Sequence, residues 1–236
     1  MYRLVDEQAA FLVIDKAPGT HVHRDGEATG LMDRLRDDTG CDTLHLAHRL
    51  DAMTSGLLLV ARSADAAAAL GQALAARQVE KFYLALSDRS PRKKQGWVIG
   101  DMERSRRASW KLLPTRQDPA VTQFFSAAAG DGRRLFLLRP RTGRTHQLRV
   151  ALKSLGAPIW GDPLYHPQEP GREVPDRGYL HSYGIGFVLD GRLWRYVSAP
   201  EAGACWPVLP EAWKQPALLP WPGGSVPGLQ VECAAE

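Results

Sequence analysis

Three short segments of the chain set reactive side chains beside glycine, serine and threonine. The first is His48-Arg49-Leu50-Asp51-Ala52-Met53-Thr54-Ser55-Gly56, which leads straight into the apolar run Leu57-Leu58-Leu59-Val60-Ala61. The second is Lys81-Phe82-Tyr83, and the third is Arg141-Thr142-Gly143-Arg144-Thr145-His146-Gln147-Leu148-Arg149. A carboxylate can attack or stabilise charge, a phenol can stack or move a proton, and guanidiniums can hold an anion. Each residue alone has a plainer reading. Asp51 ahead of Thr54-Ser55-Gly56 suits a turn cap, with its carboxylate on the backbone around Thr54. Arg49 suits a surface charge, Tyr83 a packing residue with its hydroxyl at an edge, and Arg144 is open to either reading. His48 and His146 suit hydrogen-bonding roles, because no cysteine or carboxylate stands beside them at metal-binding spacing.

These groups need elements to hold them. Phe11-Leu12-Val13-Ile14 reads as a strand ended by Pro18-Gly19, Leu57 to Ala61 as a second, and Leu135 to Leu138 as a buried third. Lys81 to Leu86 alternates, placing Phe82, Leu84 and Leu86 on one face and Lys81, Tyr83 and Ala85 on the other. Ser63 is a good N-cap for an Ala-rich helix over Ala64 to Gln78. In Thr145 to Leu155, an apolar stripe of Leu148, Ala151, Leu152 and Leu155 lies opposite His146, Arg149 and Lys153. Gly156 and Pro158 close that helix. With Thr145 as its N-cap, Arg144 falls in the loop before it, placed to reach into a cleft. Two helices cannot cover both faces of a large parallel sheet. The expected class is therefore α+β: a mixed, largely antiparallel central sheet with flanking helices. Seven of the 17 prolines lie from Pro200 onward. Residues 1–215 are expected to form one domain and the Pro/Gly-rich residues 216–236 an extended tail.

At 44% hydrophobic and 24% charged residues, the 236-residue chain has the balance of an ordinary soluble globular protein. No stretch approaches the roughly 20 apolar residues of a membrane span, and the N-terminus lacks a secretory layout. Cys41, Cys205 and Cys233 are odd in number and widely spaced, which argues against a disulfide framework or a zinc site. A reduced, cytoplasmic setting is expected. The net charge of +4 says less than its distribution. Gly132 to Lys153 carries seven basic residues and no acid, and Arg89 to Lys111 eight against Asp101 and Glu103. Such segregation suits a polyanion held against one face, or a pair of solvated charged loops.

In order and spacing the three segments resemble the RluA-type pseudouridine synthases. The pattern H-R-L-D-x-x-T-S-G-L stands complete from His48 to Leu57. K-x-Y-x-A is matched by Lys81 to Ala85, and T-G-R-T-H-Q-[IL]-R by Thr142 to Arg149. A fourth, G-x-P-I-x-G-D-x-x-Y, runs from Gly156 to Tyr165. Departures are Lys16-Ala17-Pro18-Gly19 with its proline displaced by one, Ala151 in place of a histidine, and Ser182 in place of an alanine. The resemblance implies a pseudouridine synthase fold with a catalytic cleft, in which a uridine's glycosidic bond is broken, the uracil turned, and the base rejoined through carbon. It implies Asp51 as the nucleophilic carboxylate, Arg144 as its ion-pair partner, and Tyr83 as stacking surface and late proton carrier. Leu148 is then a pocket wall, and Arg49 fills the space of the flipped base. His48, Lys81, Arg141, Arg149 and Lys153 are the remaining RNA-contact candidates, giving salt-dependent affinity. No cofactor, metal or second subunit is expected. The apolar run at Phe11 starts so early that no separate RNA-binding domain is expected before it. The partner expected is a stem-loop of rRNA or tRNA read by shape.

Two rivals remain. One is a non-catalytic RNA-binding protein on the same fold, which the joint presence of Asp51, Tyr83 and Arg144 disfavours. The other is a carboxylate-dependent hydrolase, for which Asp42 and Asp65 are poorly placed as a second acid.

Overall fold

The computed structural model describes residues 1–22, 30–167, 169–171 and 173–222. The N-terminal half contributes β1 (Tyr2–Glu7), β2 (Phe11–Lys16), α1 (Leu31–Thr39), β3 (His45–Leu46), β4 (Ser55–Ala61), α2 (Ala64–Ala75) and β5 (Glu80–Ser87). Then follow β6 (Gln95–Gly100), β7 (Met102–Arg104), β8 (Trp110–Leu112), β9 (Ala120–Ala128) and β10 (Arg134–Pro140). The last elements are α3 (Gln147–Ser154), β11 (Leu180–Leu189), β12 (Arg192–Val197) and two 3-10 turns, Glu211–Lys214 and Pro216–Leu218. Ten strands form one sheet in the order β1-β2-β4-β11-β5-β10-β9-β6, with β3 on β4 and β12 on β11; β7 and β8 form a separate hairpin. Among the described residues the parallel pair is β4–β11, two residues long, and the other ladders are antiparallel. The sheet is mixed and largely antiparallel, as expected.

Alternation along the strands divides the core into two layers. Phe82, Leu84 and Leu86 of β5 face a cluster with Trp160, Tyr179 and Trp213, while Tyr83 and Ala85 face Leu12, Ile14, Leu58 and Phe136 under α1 and α3. Phe11, Val13, Leu57 and Leu59 pack against Ala66 and Leu70 of α2. Full burial of each such side chain stabilises by roughly 1.5–3 kcal/mol, so both faces need their cover. Ser63 Oγ accepts the Ala66 N–H at 3.2 Å, the expected cap, and α2 ends at Ala75, three residues before the expected Gln78.

Four features differ from the expectations drawn from sequence. Helix α1 is absent from those expectations. Helix α3 starts at Gln147 rather than after a Thr145 cap, because His146 takes a left-handed conformation (φ 58°) and cannot join the helix. Arg149 therefore does not lie on a solvent face; it is buried. The expected tail is packed as far as Pro222: Trp221 stacks on Phe82 and donates to the Pro216 carbonyl at 2.7 Å, and Gln123 Nε2 donates to the Pro222 carbonyl. The rest of that expectation, residues 223–236, lies outside the described residues.

Gly56 is required where β4 meets β11. Its φ of 101° suits glycine, and a Cβ there would stand 2.3 Å from the Ser182 carbonyl oxygen. This close approach sets the end of the Asp51 loop against β11.

Candidate active site

The loop between β3 and β4 presents Asp51. Its backbone carbonyl, not its carboxylate, accepts the Thr54 N–H at 3.0 Å, so the turn is closed by main chain. The carboxylate is left for another partner. Arg149 Nη1 donates to Asp51 Oδ2 at 3.0 Å. Its Nε and Nη2 donate to Asp162 Oδ2 and Oδ1 at 2.7 and 2.8 Å, a two-pronged pairing that fixes the guanidinium plane. Asp162 is fully buried and also accepts the N–H groups of Leu164 and Tyr165. The guanidinium carbon lies 5.0 Å from the Tyr165 ring centre. Burial opposes the charge of Arg149, but Asp162 and Asp51 hold its proton more tightly than in free arginine. Asp51 itself is 24% exposed and opens toward solvent.

The partner of Asp51 is thus Arg149, where the motif resemblance implies Arg144. The reason is local. Gln147 is buried; its Oε1 accepts the Arg144 N–H and the Thr142 hydroxyl, and its Nε2 donates to the Val121 carbonyl and Thr122 Oγ1. These bonds pin the loop and turn the Arg144 side chain outward onto the exposed Asp118. The late helix start brings Arg149 into the first turn, facing inward. Asp162 is the signal that could have found this pairing: it follows the Gly156 turn that returns the chain beside α3.

Behind the loop two further cations grip its backbone. Lys16, fully buried, donates to the carbonyls of Ala17, Thr20 and Ala52 at 3.0–3.1 Å. Burial pushes its pKa down to about 8, against the pull of Asp51 and Asp15. Arg177 donates to the Met53 and Leu180 carbonyls and to Ser55 Oγ, and burial lowers it to about 10. Ser55 Oγ also bonds His181 Nδ1 at 2.8 Å. Sequence reasoning does not single out Arg177.

Tyr83 is buried beside the loop. Burial raises its phenol to about 12, a hydrogen bond with Ser182 works against this, and the Asp51 charge adds to it. His48 Nε2 accepts the Leu59 N–H at 3.2 Å, a strand amide that would otherwise lack a partner; burial and nearby Lys81 hold the imidazole down to about 3. His48 thus braces the loop from within, and it also lines the cleft. Lys81 is held below its ordinary pKa by burial.

Asp51 and Tyr83 open into a cleft of about 600 Å³. Its basic lining is Arg49, Arg77, Lys81, Arg139, Arg141, Arg144 and Arg149, against the acids Asp51 and Glu80. Arg49, Arg141 and Arg144 are exposed, whereas Arg139 pairs with Glu80. Leu148 belongs both to the cleft and to the core. Lys153 is exposed at the far side of Tyr165, 5.4 Å from its ring centre. Among the described residues no three His, Cys, Asp or Glu side chains converge as metal ligands would, and no helix is long and apolar enough to cross a membrane.

The family described as RNA pseudouridylate synthase matches residues 10–154. A Haemophilus influenzae protein named "Uncharacterized RNA pseudouridine synthase" is 41% identical over 203 residues, 86% of this chain and 89% of that one. The Rickettsia bellii "Ribosomal large subunit pseudouridine synthase C" is 39% identical over 153 residues, 63% of this chain but only 50% of its own length. Among solved structures, "Human RNA Pseudouridylate Synthase Domain Containing 1" superposes with a TM-score of 0.77 at 25% identity, covering 94% of this chain and 97% of that one. A carboxylate locked by a buried arginine on this sheet, with a family match over more than half of its length, places the chain in the RluA-type family of RNA pseudouridine synthases, which are isomerases.

Proposed function

We propose that this protein isomerises uridine to pseudouridine in a stem-loop of rRNA or tRNA, with Asp51 as the nucleophilic carboxylate. The observation that carries this reading is the Asp51–Arg149–Asp162 arrangement at the floor of a basic cleft. A carboxylate in a closed site tends to take up a proton, and a fixed guanidinium opposes this while orienting the attacking oxygen. Arg149 takes the positioning role that the resemblance implies for Arg144. Asp162 is sealed beneath Arg149 and two amides, so it does not supply the second carboxylate of a glycosidase.

Tyr83 offers its aromatic face to the detached uracil, which needs a surface that permits turning. With the phenol raised to about 12 the neutral form prevails at neutral pH, so Tyr83 enters the reaction carrying its proton, and the late proton transfer is the role that the resemblance implies for it. Leu148 forms the opposing wall. Arg49, exposed at the mouth, occupies the space left by the flipped base, whose unstacking costs a few kcal/mol. Lys81, Arg141, Arg144 and Lys153 contact phosphates. The Rickettsia relative is named for the ribosomal large subunit, which makes rRNA the first place to look.

The test is pseudouridine mapping of RNA from cells with and without the gene, followed by complementation with Asp51→Asn. Sites should vanish in the deletion, return with the wild type and stay absent with the variant. Purified Asp51→Asn should still bind the same RNA. Full modification by the variant refutes the assignment.

A further inference from the structure

Tyr165 is buried, and its hydroxyl has two neighbours: the Trp110 backbone N–H at 2.8 Å and His146 Nδ1 at 2.9 Å. An amide N–H can only donate, so the Trp110 contact occupies a lone pair of the phenol oxygen. The phenol hydrogen then has His146 Nδ1 as its acceptor. The opposite tautomer would leave that hydrogen buried without a partner, which native interiors avoid. Nδ1 is therefore the bare nitrogen and Nε2 carries the hydrogen. Among the described residues Nε2 has no hydrogen-bond partner, and His146 lines the cleft.

A second observation is independent of the first. His146 stands at φ 58°, ψ 17°, a left-handed conformation that non-glycine residues hold only where their surroundings over-determine it. It delays α3 and sets the imidazole among Arg149, Asp51, Asp162 and Arg49. Burial and Arg149 lower its affinity for a second proton, with Asp51 and Asp162 opposing, so the ring is a neutral donor.

We propose that His146 is a substrate-contacting residue: its Nε2–H donates a hydrogen bond to a carbonyl or hydroxyl oxygen of the nucleotide seated over Asp51. This rests on the reading that the cleft takes a uridine.

The experiment uses rRNA and tRNA purified from gene-deleted cells grown with uridine tritiated at C5. Joining C5 to the ribose displaces that hydrogen, so turnover releases label into water. Glutamine places its amide nitrogen near the position of Nε2, whereas asparagine places its oxygen near that of Nδ1. His146→Gln should retain most of the release. His146→Asn and His146→Ala should lose about 10- to 100-fold in kcat/KM, the scale of one lost hydrogen bond. The salt dependence of RNA binding should stay unchanged in all three, since no phosphate contact is removed.

If His146 merely holds Tyr165, the order reverses. Asparagine accepts the Tyr165 hydroxyl, tolerates a left-handed backbone and stays active, while glutamine fails. That reversal, equal activity of all three variants, or a flattened salt dependence overturns the proposal. The imidazole 15N shifts of the free wild-type enzyme test the tautomer without any variant: hydrogen on Nε2 is expected, and hydrogen on Nδ1 overturns it. No release by the wild type would overturn the uridine reading itself, and this proposal with it.

Discussion

Replacing Arg149 with methionine separates what the guanidinium does for the fold from what it does for Asp51. Methionine keeps much of the volume but removes three hydrogen bonds, two to Asp162 and one to Asp51. Asp162 retains the Leu164 and Tyr165 amides on Oδ1, yet it is fully buried and loses its counter-ion. Leaving one partner of a buried pair uncompensated costs roughly 3–5 kcal/mol. Against a typical total of about 5–15 kcal/mol this is a large fraction. At about 2–4 °C per kcal/mol for a chain of this size, Tm should fall by roughly 6–20 °C. Adding Asp162→Asn removes the stranded charge and should recover most of that loss. Activity should not recover, because Asp51 is unanchored in both proteins; a misplacement near 1 Å costs about 100-fold. Thermal unfolding by circular dichroism and tritium release from C5-labelled RNA read the two effects separately. A single variant within about 2 °C of wild type, or a double variant that regains turnover, refutes the reasoning.

The exposed Arg144–Asp118 pair predicts a different outcome for Arg144→Ala. Stability should change by no more than about 1 kcal/mol, while RNA affinity should fall and its slope with log salt should flatten by about 0.7–0.9; loss of turnover at saturating RNA would return Arg144 to the chemistry. For His48 the folded pKa is about 3, below the ordinary 6.5. The unfolded chain therefore takes up a proton first as pH falls, and stability drops between pH 6.5 and 3, by on the order of 2 kcal/mol at about pH 4.5. His48→Gln keeps an acceptor for the Leu59 N–H, and its urea midpoint should vary less over that window than the wild type's. Lys16, at about 8 in the fold against 10.5, acts at the other end. Between those values the unfolded chain binds more protons, so the wild type should gain on Lys16→Met as pH rises from about 8 to 10, by on the order of 2 kcal/mol; a constant gap would show that Lys16 does not titrate there.

The elements legible in the sequence are those whose own residues decide them. Ser63 followed by alanines makes α2 by capping and propensity, and the alternation of β5 is enough by itself to sort Tyr83 from Phe82. Helix α1 is harder to read because its start, Gly30, supplies no side-chain cap and its sequence is heavily charged; the left-handed Gly40 at its end is the usable cue. The motifs locate Asp51 and Tyr83. They do not settle which arginine pairs with Asp51, because that depends on one backbone angle at His146 and on Asp162, 13 positions beyond Arg149. The apolar stripe of α3 is right for Leu148 and Leu152 but wrong in treating Arg149 as solvated, since periodicity carries no information about a buried counter-ion. The C-terminal prolines mask Trp213 and Trp221, whose burial comes from long-range packing.

The grip of Arg177 and His181 on the Asp51 loop has a consequence for when the site comes into being. Ser55 and His181 are 126 positions apart, and Arg177 and Met53 are 124 apart. At about 5–20 residues per second the ribosome delivers these late anchors several seconds or more after the loop itself. Until then the motif carrying Asp51 is present in the nascent chain without the strand that fixes its far end. The finished site is thereby tied to the synthesis of β11, and a chain truncated before that strand would carry the signature residues without it.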